Sequence, residues 1–272
     1  MNQAGKSPVV ALLTDLGTVD TYVGVMKAVI LGLCPTARIV DLCHNIAPQD
    51  IQQAGFLLDT AWRYCPKGTV HLVVVDPGVG TERRLVAVEA HGQQFVAPDN
   101  GVLTYVLAGA RDYEAFVVER REHFLSEITQ TFHGRDILAP VAARLAAGMP
   151  IEAVGREVDD PLKLLPLPRP IAGDAGLEVH VIHVDRFGNL VTDLLEPDLR
   201  AWQEEIGGEE IVISVGDDAI KEISETYAGA ERGELLALFG STGRLEIAVN
   251  QGSAAERLGL ERGTIVVIKR RS

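Results

Sequence analysis

Apolar residues recur along this chain in two rhythms. Residues 9–13 form an unbroken apolar run that stops at Thr14-Asp15-Leu16-Gly17, the pattern of a buried strand delivering polar side chains at its C-terminal edge. A helix is expected next. Asp20 is placed as its N-cap, and Tyr22, Val25, Met26, Val29, Ile30 and Leu33 keep helical spacing until Pro35. Strand 38–42 follows, and Pro48 is read as opening a second helix whose apolar face runs from Ile51 to Trp62. Residues 70–75 then read as a strongly apolar strand ending at Asp76-Pro77-Gly78. After strands at 85–90 and 94–97 the chain turns at Pro98-Asp99-Asn100-Gly101 and continues as mixed structure to a helix over 137–147. Alternation of buried strand and amphipathic helix predicts an α/β domain with a mainly parallel sheet.

Four prolines, two glycines and no sustained periodicity lie between Asp159 and Gly176, the composition of a connection between domains. The predicted division is an α/β domain over 1–165, a linker over 166–177 and a second domain over 178–272. Short strand-like runs at 178–184, 210–215, 234–239, 244–249 and 264–269 make that second domain a smaller all-β unit, a barrel or a sandwich.

Composition narrows the class of function. The 272 residues carry a net charge of −13, which opposes approach to nucleic acid or to an anionic membrane surface. Neither is expected as a partner. Three cysteines, Cys34, Cys43 and Cys65, with no C-x-x-C pair, suggest neither a disulfide framework nor a cysteine metal site. The first seven residues lack a signal-peptide pattern and no apolar run approaches the roughly 20 residues a bilayer requires, so a soluble, cytoplasmic protein is expected.

P-loop, H-E-x-x-H and G-x-S-x-G motifs are absent, and Gly78-Val79-Gly80 does not continue into a dinucleotide fingerprint. Four polar clusters remain. At Thr14-Asp15-Leu16-Gly17 with Asp20, a carboxylate at a strand end can accept hydrogen bonds from a vicinal diol, or can merely cap the following helix. In the segment from Asp76 to Arg84, a carboxylate and a turn without bulk precede two arginines, only one of which can face Asp76. A ligand site and a tight turn with a surface ion pair both fit. At Phe132-His133-Gly134-Arg135-Asp136 a lone imidazole before a helix can exchange a proton or simply pack. In Asp185-Arg186-Phe187-Gly188-Asn189, Phe187 offers a stacking face, Asn189 an amide for a base edge and Asp185 an anion for an amine; a plain hairpin turn is the other reading.

Taken in order, these clusters resemble the S-adenosyl-L-methionine (SAM) hydroxide adenosyltransferase family, the SAM hydrolases of the DUF62 group, relatives of the SAM-dependent fluorinase and chlorinase. The resemblance runs from Leu13 to about Leu260. It also includes Cys43-His44-Asn45-Ile46-Ala47-Pro48, Ala97-Pro98-Asp99-Asn100-Gly101 and Gly252-Ser253-Ala254-Ala255. It implies hydrolysis of SAM to adenosine and L-methionine, with an Asp-Arg-His set at Asp76, Arg83 and His133, and Asp15 on the ribose hydroxyls. Phe187 and Asn189 match adenine contacts, and Asp185, Asp20 and Ser241 match positions near the methionine end. Thr242 stands where halogenases carry an arginine. Gln49 and Asp76 stand where halogenases have aromatic residues, which favours hydrolysis over halogenation. A catalytically silent nucleoside-binding module would need Asp15, Phe187 and Asn189 alone. The resemblance further implies no metal or organic cofactor, an N-terminal α/β and a C-terminal β-barrel domain, and a homotrimer with the active site at the subunit interface.

Overall fold

The computed structural model describes residues 7–208 and 210–271, so residues 1–6, read above for a leader pattern, lie outside the described residues. The chain divides into two compact units, Met1–Pro166 and Leu167–Ser272.

The first unit contains β1 (Val9–Thr14), α1 (Tyr22–Leu33), β2 (Arg38–Cys43), α2 (Ile51–Trp62), β3 (Val70–Val74), β4 (Leu85–Ala90), β5 (Gln93–Pro98), α3 (Thr104–Ala108), β6 (Tyr113–Val117) and α4 (Ala139–Ala146). Its six-stranded sheet has the order β2-β1-β3-β5-β4-β6. The strands β2, β1, β3 and β5 run parallel, and β4 is antiparallel to both its neighbours. The continuous apolar runs follow from burial on both faces. Leu12, Leu72 and Val96 pack with Met26, Ile30 and Leu138 on one side, whereas Leu13, Val73 and Phe95 pack with Leu58 and Trp62 on the other. The mainly parallel α/β sheet expected from the pattern is therefore present.

Two helix starts differ from expectation. The N-cap of α1 is Thr21, which makes no side-chain capping bond, and Asp20 is exposed one residue earlier. Pro48 does not open α2. Gln49 takes φ 68°, which no helix accommodates, so winding begins only after Asp50, whose carboxylate accepts the Gln53 N–H at 2.9 Å. The helix expected over 137–147 is also split, with Gly134–Leu138 forming a wide π turn ahead of α4. Pro140 has no N–H to offer the Asp136 carbonyl, which accepts from Leu125 N at 2.9 Å instead.

The second unit contains β7 (Ile171–Gly173), β8 (Gly176–Val184), β9 (Leu190–Leu195), α5 (Glu196–Glu205), β10 (Ile211–Val215), β11 (Asp218–Ile220), β12 (Leu235–Phe239), β13 (Arg244–Val249), α6 (Ala254–Leu258) and β14 (Ile265–Arg270). Its antiparallel sheet, β11-β10-β14-β8-β9-β13-β12 with β7 on β8, curls into a nearly closed barrel around Val179, Leu190, Ile213, Leu245, Val266 and Ile268. The all-β reading holds, with two short helices and the strands β7, β9 and β11 added.

Candidate active site

Strand β3 is buried along its whole length, and the chain leaves it through Val75 to Asp76. Asn100 Nδ2 donates to the Val75 carbonyl at 2.9 Å and pins this exit. The following turn presses against the 129–133 segment. Gly80 has φ 79°, and a Cβ there would stand 2.5 Å from the Gln130 carbonyl oxygen, so the close approach requires glycine.

The chain then returns with Arg83. Its Nε lies 3.0 Å from each Asp76 oxygen, its Nη2 also donates to Asp76 Oδ2, and the same Nη2 donates to His133 Nδ1 at 3.0 Å. The Asp76 and Arg83 side chains are only 7% and 8% exposed. Arg84, pointing the other way as strand alternation demands, binds Asp99 at 2.7 Å and pairs with Asp160. Of the two arginines, Arg83 is therefore the one that meets Asp76.

Burial, and after it the charge of Arg83, hold the His133 imidazolium below its ordinary value, with Asp76 and Asp136 opposing. The ring is therefore neutral near pH 7. Because a guanidinium can only donate, Nδ1 is the acceptor and the single ring proton sits on Nε2. Asp136 fixes this segment. Its Oδ2 accepts Thr129 N and Oγ1 at 2.8 and 2.7 Å, and its Oδ1 accepts Arg135 Nε at 2.5 Å. Burial alone would raise this carboxyl, but Arg135 and the Thr129 donors hold it below the usual carboxylate range.

Asp15 leaves β1 at the same edge of the sheet, since Thr14 pairs in register with Val74. Its Oδ2 accepts the Gln49 N–H at 2.7 Å. Asp20 is exposed and lines a recess of about 480 Å³ with Thr18, Thr21, Lys27, Asp41 and His44.

The remaining predicted residues belong to the second unit, where they share one cavity. It measures about 630 Å³ and is lined by Asp185, Phe187, Asn189 and Ser241 together with Tyr227 and Glu246. Asp185 Oδ1 accepts the N–H groups of Phe187 and Asn189 at 2.8 and 2.9 Å, and Oδ2 accepts Asn189 Nδ2 at 2.9 Å. This closes a turn that presents the Phe187 ring 76% exposed. Gly188 has φ 82° and passes so near Ser253 that a Cβ would be 2.0 Å from its Oγ.

Sequence reasoning missed Tyr227 and Glu246. The Tyr227 hydroxyl donates to Glu246 Oε2 at 3.0 Å, across 19 positions that no motif links. Burial, then the Glu246 carboxyl, push the phenol up to about 12, while burial and the Asp185 charge raise Glu246 itself. Among the described residues, no group of three or more His, Cys, Asp or Glu is arranged to hold a metal ion, and no helix is long and apolar enough to cross a membrane.

Comparison with known proteins adds a family to this geometry. Residues 10–155 match the domain model described as SAM hydroxide adenosyltransferase N-terminal domain, and residues 179–267 the corresponding C-terminal domain. A protein of Thermus thermophilus named (R)-S-adenosyl-L-methionine hydrolase is 41% identical over 262 residues, 93% of this chain and 96% of that protein. A fluorinase of Nocardia brasiliensis is 32% identical over 297 residues, 97% of this chain and 98% of that one. A crystal structure of an uncharacterized conserved protein from Thermotoga maritima superposes with a TM-score of 0.87 at 37% identity, covering 96% of this chain and all of that one.

Proposed function

As a member of the SAM hydroxide adenosyltransferase family the chain is a SAM hydrolase, and we propose that Asp76, Arg83 and His133 carry its chemistry. Water oxygen bonds to C5′ of SAM while the C5′–S bond breaks, its electron pair passing to sulfur. L-methionine departs as a neutral thioether, adenosine keeps the new hydroxyl, and one proton is released. The sulfonium leaves readily, so the enzyme's task is to aim a poor nucleophile.

The observation that carries this reading is the forked clamp of Arg83 on Asp76 at the exit of a buried strand. Both carboxylate oxygens are fixed in direction, so a water donating to Asp76 has a defined line of approach, and Asp76 is the base nearest its leaving proton. His133, with Nδ1 occupied by Arg83, can offer Nε2–H to the same water but cannot take its proton without releasing the arginine.

In this reading Asp15 holds the ribose hydroxyls, Phe187 and Asn189 the adenine, and Asp185, Asp20 and Ser241 the methionine end. Halogenation is the second reading, supported by the fluorinase likeness; the Asp76 carboxylate disfavours it, because a halide brought beside that charge would be repelled. No metal or organic cofactor enters the scheme, and the proposed setting is cytoplasmic. The proposal extends to a homotrimer with its active site at the subunit interface. Tyr22 (46%) and Val25 (37%), exposed apolar residues three positions apart on one face of α1, support a surface meant to be covered.

The test is Asp76→Ala, assayed for adenosine release with chelator and with and without chloride. Turnover should fall by about 10²–10⁴ while calorimetry still detects SAM binding. An undiminished variant overturns the assignment, and 5′-chloro-5′-deoxyadenosine from the parent would move it to halogenation. Fully active monomers would refute the trimeric site.

A further inference from the structure

The segment Cys43-His44-Asn45-Ile46-Ala47-Pro48 takes no part in the chemistry above, yet it is tied to one of its residues more closely than packing requires. His44 is 6% exposed and Thr14 fully buried, and Thr14 Oγ1 lies 2.9 Å from His44 Nδ1. Leu16 N–H donates to the same hydroxyl oxygen at 3.3 Å, which frees the hydroxyl proton for the imidazole. The His44 carbonyl accepts Gly17 N–H at 2.7 Å. The residues on both sides of Asp15 are thus fastened to His44.

From there the loop runs to Gln49, whose left-handed backbone, φ 68°, turns its N–H onto Asp15 Oδ2 at 2.7 Å. The loop is closed behind by Ala47 N–H on Gln53 Oε1 at 2.8 Å and by the Asp50 cap on Gln53 N–H. The outer ring nitrogen of His44, Nε2, lies 3.0 Å from Asp41 Oδ1 but off the line of a hydrogen bond, and Asp41 is held by Lys27 at 2.6 Å. A side chain that only filled space would need none of these directed links. A carboxylate whose direction matters needs all of them. Gln49 occupies one acceptor position of Oδ2, leaving Oδ1 and the rest of Oδ2 for two hydroxyl donors.

We propose that His44 is a positioning residue that aims the Asp15 carboxylate at a vicinal diol, by locking Thr14 and Gly17 on one side of it and the Gln49 loop on the other. This rests on the reading that Asp15 receives the ribose hydroxyls. It extends that reading to the substrate's sugar, predicting that His44 controls discrimination between ribose and 2′-deoxyribose without touching either.

The experiment compares kcat/KM for SAM and for its 2′-deoxy analogue in the parent, Asp15→Ala, His44→Leu, His44→Asn and Thr14→Val. The parent should prefer the ribose substrate by about tenfold or more, the scale of one hydrogen bond to a charged group. Asp15→Ala should bring the ratio near one. His44→Leu should lower it by about fivefold through KM, with kcat within about threefold, and His44→Asn, whose amide oxygen can stand near the Nδ1 position, should restore it. Thr14→Val removes the hydroxyl without changing volume and should match His44→Leu, which keeps the test decisive if the leucine variant does not fold. Parent-like ratios in His44→Leu or Thr14→Val, with Asp15→Ala still near one, overturn the role of His44 and leave the diol reading intact. A parent-like ratio in Asp15→Ala overturns the diol reading itself.

Discussion

Arg83 meets His133 through the nitrogen that also binds Asp76: Nη2 donates to His133 Nδ1 at 3.0 Å while donating to Asp76 Oδ2. One guanidinium edge therefore fixes both the direction of the carboxylate and the tautomer of the ring. Lysine has a single donor head and cannot reproduce a fork. Arg83→Lys should fold normally yet lose about 10²-fold in kcat, with SAM affinity little changed, as measured by adenosine release and calorimetry.

The depressed ionisation of His133 gives a pH dependence of defined sign. Burial and Arg83 keep the folded imidazole neutral below its ordinary value of 6.5. As pH falls, the unfolded chain binds this proton first, so acidification through the ordinary histidine range costs stability. Protonation would also place a hydrogen on Nδ1 facing Arg83 and break the contact. The acid limb of kcat/KM should therefore lie below 6.5 and be altered in His133→Asn, whereas a limb at or above 6.5 in the parent contradicts the arrangement.

Glu246 works in the opposite sense. Its carboxyl is raised by burial and by Asp185, so the folded state holds this proton more tightly than the unfolded chain does, and stability is lost as pH rises through the folded value. Glu246→Gln keeps an acceptor for the Tyr227 hydroxyl and removes the charge. It should raise the unfolding temperature at pH 8, with the gain shrinking toward pH 4; equal melting at both would contradict the buried charge.

Phe187 is 76% exposed, so truncating it removes little burial. Base stacking on an aromatic ring is worth about 1–3 kcal/mol. Phe187→Ala should raise KM by about tenfold with kcat and melting temperature nearly unchanged. A variant that melts earlier but binds SAM normally would make the ring structural.

Much of the first unit was legible because apolar runs ending abruptly in Asp15 and Asp76 mark buried strands and their ligand-facing ends. Helix starts were less so. Thr21 stands beside Asp20, another capping-type residue, and only the positive φ of Gln49 explains why α2 begins after Pro48 rather than at it. Strand β9 escaped notice because Asp193 interrupts its apolar pattern. The structure shows that carboxylate 3% exposed and satisfied by His180 N–H and Nδ1 at 2.8 and 3.0 Å, partners visible only once the strands pair. Tyr227 and Glu246 were illegible for the same reason, whereas alternation says only that one of the two arginines can meet Asp76, the resemblance points to Arg83, and the structure shows Arg83 there.

The wide turn at Gly134–Leu138 makes the spacing between His133 and Pro140 a ruler. An ordinary α turn over the same stretch would use one residue fewer, and each residue of helix carries its side chain about 100° around the axis. A chain shortened by one position here would wind more regularly and rotate the imidazole away from Arg83. Local irregularity is what keeps the ring on target, so any regularised redesign of this helix would trade a tidier backbone for an idle histidine.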